Sequence, residues 1–302
     1  MKKNAVSFLV IGKTQESKEA SEGFKRYVGL ASSHILAVNP KKEELDELMG
    51  FESQNEPEYI KEDDQGKMAI INFIVRTDPD TNNGIEITNR ATITLRATPA
   101  YNKDKTKVQV IDQYGNFTWA DTEVANAGGK IEHAQKLDKY RIACVGECAL
   151  VDFLKKYLGV PDAYDYKNGS WVKKENGKAE EGIFSLEKLK DYFKGDFSEI
   201  REAIALQPNN KIKLLYGVRT NDGKQYQAVC TREQLMLNNG AGANAIAKLE
   251  KDLANAKNHG SFSTTEYKVQ ELQEYDVQPT DLSEPSGAKG SEDSGSSELP
   301  WE

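Results

Sequence analysis

The net charge of this 302-residue chain, −8, resides entirely in its last 32 residues. From Glu271 to Glu302 nine acids face the single base Lys289, so residues 1–270 sum to zero. That division limits what can fold. A segment rich in Ser, Gly, Pro and acid buries too little apolar surface to offset its ordering entropy, so 271–302 is expected to be a disordered acidic interaction tail. Residues 1–270 are then left to build the core, and they are long enough for a substantial one. The tail nevertheless ends in Glu298-Leu299-Pro300-Trp301-Glu302. An indole beside a stiffening proline is a good anchor for an apolar pocket, so Glu298, Leu299, Pro300 and Trp301 are candidate partner-docking residues.

The body reads as strand-rich over 1–120 and as helices with a second hairpin over 121–270, the latter forming either a separate domain or insertions in the first. Val6–Ile11 reads as a first strand rather than a signal peptide, because no small-residue cleavage pattern follows it. Val28–Val38 predicts a strand, and Asn39-Pro40 predicts the capped start of a helix over Lys41–Met49, stopped by Gly50. Met68–Arg76 reads as a strand and 78–84 as a turn cluster. In Ile85–Arg96 the residues Ile85, Ile87, Ala91, Ile93 and Leu95 share one face, with Thr92, Thr94 and Arg96 on the other. Lys107–Asp112 and Asn116–Ala120 predict a hairpin around Tyr114-Gly115. Further on, helices are expected over Val145–Leu158, Leu186–Phe193 (capped by Ser185), Phe197–Leu206 (with Asp196 as its cap), Thr231–Leu237 and Ala243–Asn258. A hairpin turning at Asn221-Asp222-Gly223 and a strand over Ser263–Leu272 complete the pattern. The expected class is α+β: an antiparallel, β-rich, open barrel of the OB type with inserted helices.

Catalytic chemistry finds little support. Gly12-Lys13-Thr14 resembles the end of a phosphate loop, but the required earlier glycine is Ser7. Cys144 and Cys148 lie four apart on an expected helix, far from Cys230, and no second tight pair completes a zinc site. The favoured reading of these thiols is small buried apolar side chains, with a Cys–His site assembled in space as the alternative. His34, His133 and His259 are scattered, so no nucleophile–base pairing is preferred over another. Asp63-Asp64 and Asp78/Asp80 read as solvated turn residues. No enzymatic activity and no cofactor are expected.

A binding surface is better supported. Arg90, Arg96, Tyr101, Lys103, Lys105, Lys107, Tyr114, Phe117 and Trp119 combine cations with rings, as surfaces that track a polynucleotide do. On an extended strand Lys103, Lys105 and Lys107 would share a side, and Phe117 and Trp119 would form a two-step platform. The plainer alternative is an ordinary edge strand with core aromatics. A second basic–aromatic cluster, Tyr164, Tyr166, Lys167, Trp171, Lys173 and Lys174, surrounds the hairpin signal Asn168-Gly169; it either extends the groove or is a solvated loop.

The acidic tail with Glu292-Asp293 and the tip Glu298-Leu299-Pro300-Trp301-Glu302 resembles the plan of phage and bacterial single-stranded DNA-binding proteins. Tyr27–Gly50, Glu56-Pro57-Glu58-Tyr59 and Lys107–Gly115 are similar to such a protein of crAss-like phages. The tip departs from the common pattern in that its aromatic is penultimate. The resemblance implies sequence-nonspecific single-stranded DNA binding in phage replication or recombination, without catalysis. It also implies recruitment of a polymerase, primase or helicase by the tail, in the cytoplasm of the infected bacterial host. A phage virion or assembly accessory protein that binds only proteins is the rival, favoured by the acidic balance.

Overall fold

A computed structural model describes residues 25–112, 116–131, 140–159, 164–167, 170–175, 178–185, 189–221, 223–258, 262 and 264–276, with 164–185 described by backbone alone. The expected strand Val6–Ile11, the Gly12-Lys13-Thr14 segment, Tyr114, His133, His259 and the tail tip Glu298, Leu299, Pro300 and Trp301 lie outside the described residues.

The chain is α+β and mostly antiparallel. Its order is β1 (Arg26–Val38), α1 (Lys42–Met49), β2 (Ile60–Asp63), β3 (Gly66–Thr77), β4 (Thr88–Pro99), β5 (Lys107–Asp112), β6 (Phe117–Asp121), α2 (Thr122–Asn126), β7 (Tyr140–Ile142), β8 (Cys144–Val145) and α3 (Glu147–Leu158). There follow β9 (Tyr164–Lys167), β10 (Ser170–Glu175), β11 (Lys178–Ser185), α4 (Leu189–Tyr192), α5 (Ser198–Ala205), β12 (Ile212–Asn221), β13 (Lys224–Val229), β14 (Leu237–Asn238), α6 (Ala243–Lys257), β15 (Thr265–Tyr267) and β16 (Gln273–Tyr275).

The main sheet runs β13-β12-β1-β3-β4-β8. Its β3–β4 ladder sets Ala69 opposite Leu95, Ile71 opposite Ile93 and Phe73 opposite Ala91, all buried. The alternation read in Ala91, Ile93 and Leu95 therefore marks the core face, whereas Ile85 and Ile87 precede the strand and pack at the core's margin. Helix α3 covers that face, with Phe153 stacked on Phe73 at 4.2 Å. Along β12, Leu214 and Tyr216 join this core, while the intervening Leu215 faces a second cluster with Leu249 and Leu253 of α6. Both faces of the sheet are thus covered near β12, as the period-two side-chain rule requires.

Hydrogen bonds do not close the sheet into a barrel, since β4 and β13 are not paired. Their edges nevertheless face each other: Thr231, just after β13, donates its hydroxyl to the Thr92 carbonyl at 2.6 Å.

Several expected boundaries shift for physical reasons. Asn39 does not cap α1; it sits at φ 46° and clamps β3, donating to the Ile70 carbonyl at 2.9 Å and accepting from the Asn72 amide at 2.7 Å. Helix α3 begins at Glu147 rather than Val145 because Cys144 and Val145 pair with β4. Cys144 is therefore not on a helix with Cys148. Ser185 ends β11, and among the described residues of the expected helix Leu186–Phe193 the helical ones are Leu189–Tyr192. The helix expected over Thr231–Leu237 does not form; the Thr231 hydroxyl is engaged with β4 and Leu237 begins β14. Asp196 accepts from the Ser198 amide at 3.0 Å, supporting the start of α5 although it lies one residue before the cap position. The strand expected over Ser263–Leu272 is split into β15 and a parallel bridge from Glu271 to Leu30.

The body also extends beyond residue 270. Leu272 is buried and β16 pairs with Arg26–Val28 of β1. Glu274 forms an ion pair with Lys25. The first acids of the expected tail are therefore part of the folded body.

Candidate nucleic-acid interface

The small sheet β6-β5-β7 projects from the end of β4. Its two strands β5 and β6 form the expected hairpin, with Lys107 opposite Asp121, Gln109 opposite Trp119 and Ile111 opposite Phe117. Residues opposite one another point to the same side. Lys107, Gln109, Ile111, Phe117, Trp119 and Asp121 therefore share one face. Val108, Val110 and Ala120 form the other, packed against Ala125 of α2.

On the first face Trp119 is 44% exposed, whereas Phe117 is half-buried against the main core. The expected two-step platform is therefore a single exposed indole. Lys107 is exposed beside it and forms no ion pair with its cross-strand neighbour Asp121, whose carboxylate accepts from the Glu123 and Val124 amides at the start of α2. Tyr101 is also exposed, but it bridges to Val108 and so lies on the opposite face from Trp119.

Lys103 and Lys105 are exposed but do not continue an extended strand with Lys107. The segment turns: Asn102 accepts from the Lys107 amide at 2.8 Å, Asp104 accepts from the Thr106 amide at 3.2 Å, and Lys105 sits at φ 57°. The three ammoniums are grouped at a turn rather than aligned on one strand face. Local Asn, Asp and Thr side-chain bonds compete with the extended conformation and prevail here.

Arg90 and Arg96 alternate with the core residues of β4 and face outward. Arg96 is bound bidentately to Asp63, at 3.0 and 2.9 Å, and that partner holds the Asp63 carboxyl below the usual carboxylate range. Its charge is already neutralised, which removes it as a free phosphate contact. Arg90 lies 6.0 Å from the Phe51 ring centre, and its buried Nε has no partner among the described residues. The backbone of β10 pairs antiparallel with both β9 and β11 in a three-stranded sheet; the side chains of Trp171 and Lys173 lie outside the described residues.

The acids also fall into place. Asp63 is not a free turn residue, and neither is Asp78, which is buried and bound to Lys211. That lysine lowers the Asp78 carboxyl below its ordinary range. Burial pushes the thiols of Cys144 and Cys230 up to about 12 and that of Cys148 higher still. Such thiols are held protonated at neutral pH and are poor nucleophiles. Among the described residues no group of three or more His, Cys, Asp or Glu side chains is placed to hold a metal ion.

Sequence reasoning missed Gln109, Arg219 and Arg232. Gln109 is buried beneath the Trp119 face and donates to Glu233 at 2.9 Å, linking the small sheet to the loop after β13. Next to Glu233, Arg232 lies 5.2 Å above the Phe262 ring. Arg232 and Arg219 line a cleft of about 400 Å3 between the β4 and β13 edges. These residues come from separate segments, so no local pattern could have announced them. Comparison with protein-family models, curated proteins and solved structures finds no match.

Proposed function

We propose that this chain binds single-stranded DNA without sequence preference in phage DNA replication or recombination, and that its acidic tail recruits replication proteins. The observation that carries this reading is the placement on one face of Lys107, which forms no ion pair among the described residues, with the exposed Trp119. A cation that follows phosphates beside a ring that stacks a base is the minimal unit of single-strand binding.

The strand order supports an OB-like reading of the body. Strands β1, β3 and β4 form a meander, and β12 and β13 return on the other side of β1. Successive antiparallel pairings give β4 and β13 the same direction, which is compatible with their being the two edges of an open barrel of the OB type. The host-cell cytoplasm is the compartment such a role requires.

A labelled poly-pyrimidine strand, followed by anisotropy at two salt concentrations, tests the reading. Binding should weaken as salt rises, because bound phosphates release counterions. Trp119→Ala should lose about 1–3 kcal/mol of binding, the worth of one stacked base, with the melting temperature nearly unchanged. If the intact chain leaves the strand's anisotropy unchanged, the protein-binding rival takes its place.

Residues 277–302 carry six acids and one lysine. In this proposal they compete with the polyanion for the body's cations. Deleting 277–302 should tighten strand binding at low salt and abolish partner recruitment. The cut belongs after Asp276, because a cut at 271 would remove buried Leu272 and strand β16. Weaker binding by the truncated chain would rule out competition.

A further inference from the structure

The seam between β4 and β13 is a cleft of about 400 Å3, at the lower end of the range that holds small ligands. Arg219 projects from β12 beside it and Arg232 from the loop that follows β13. Both are exposed, and neither has an acidic partner among the described residues. Arg232 is held over Phe262, whose ring in turn rests 5.5 Å from Tyr267. Packing on an aromatic ring restricts the long side chain in advance, so less entropy is lost when it engages a ligand.

We infer that this cleft carries the single strand onward from the Trp119 face, with Arg219 and Arg232 each neutralising a phosphate. The inference rests on the proposed single-strand binding. Continuity comes from one hydrogen bond: Gln109, opposite Trp119 on β5, donates to Glu233, the residue after Arg232. The Gln109 amide, buried beneath the indole, thereby ties the hairpin that carries Trp119 to the loop that carries Arg232.

The chief competing occupant of an open sheet edge is an added peptide strand, which needs free backbone groups along that edge. On β4 those groups are obstructed. The Thr92 carbonyl already accepts from the Thr231 hydroxyl. The Thr94 carbonyl is covered by Gly146, where even a Cβ would lie only 2.0 Å from the oxygen. With the edge blocked and two guanidiniums facing the cleft, a polyanion fits it better than a β-strand.

The test is the double variant Arg219→Gln/Arg232→Gln in the full chain, titrated with the same labelled strand across salt concentrations. Each lost phosphate contact should lower the slope of log affinity against log salt by about 0.7, so by about 1.4 together. The charge-preserving Arg219→Lys/Arg232→Lys variant should keep most of the original slope. An unchanged slope in the Gln variant, with Trp119→Ala still impaired, overturns the cleft path while sparing single-strand binding. A Lys variant that behaves like the Gln variant also overturns it, since the loss would then not be one of charge. Failure of the unmodified chain to bind the strand removes the underlying reading and the cleft path with it.

Discussion

Gly146→Ala is expected to destabilise the fold by about 4 kcal/mol or more, in the range reserved for a specific structural conflict. Gly146 links β8 to α3 at φ 79°, a left-handed conformation that costs an L-residue about 1–2 kcal/mol. The larger contribution is steric. An added Cβ would lie 2.0 Å from the Thr94 carbonyl oxygen and 2.9 Å from its carbon, so backbone rather than a flexible side chain would have to move. Gly159 supplies the matched control: it ends α3 at φ 73°, and an added Cβ there would meet nothing within 4 Å. Gly159→Ala should therefore cost only about 1–2 kcal/mol, the backbone contribution alone. Urea unfolding of the two variants separates conformation from contact. Equal losses would mean that α3 does not approach β4 as closely as described. Because Gly146 also walls the cleft, a Gly146→Ala chain that still folds should bind single strands less well.

The second large effect is expected at Phe153. Phe153 and Phe73 are both fully buried and stack with their rings 20° from parallel. Phe153→Ala removes a full ring from the contact between α3 and β3 and should cost about 3–5 kcal/mol. The urea midpoint should fall while the denaturant slope stays the same, because the surface exposed on unfolding is little altered. Leu206→Ala, at a side chain 67% exposed, should shift stability by no more than about 0.5 kcal/mol. A Phe153 variant as stable as the Leu206 variant would show that α3 does not anchor the sheet.

The elements behind these two effects were unequally legible. The β3–β4 face could be read directly, because Ala91, Ile93 and Leu95 alternate with polar residues and strand side chains alternate faces. The hairpin of β12 and β13 followed from its Asp-Gly turn, with Asn221 opposite Lys224 in the ladder. The extent of α3 was legible only at its end. Its start depended on β8 pairing with β4, a contact between distant segments. For the lysines the signal was present but misread: Asn102, Asp104 and Thr106 are turn-forming residues interleaved with Lys103 and Lys105. Weighing that chemistry above the even spacing of the lysines would have placed them at a turn.

By itself the sequence determined what depends on near neighbours: strand periodicity, turns, the neutral body and the concentration of acid at the C-terminal end. Tertiary structure alone decided which cations stay available. It joined Arg96 to Asp63, left Lys107 beside Trp119, brought Arg219 and Arg232 to one seam, and drew Leu272 and β16 into the body. The physical reason is that ion pairing and burial depend on distance in space, which is set by strand pairings between remote segments. Alternation along a strand fixes which side a residue faces, but not what it meets there.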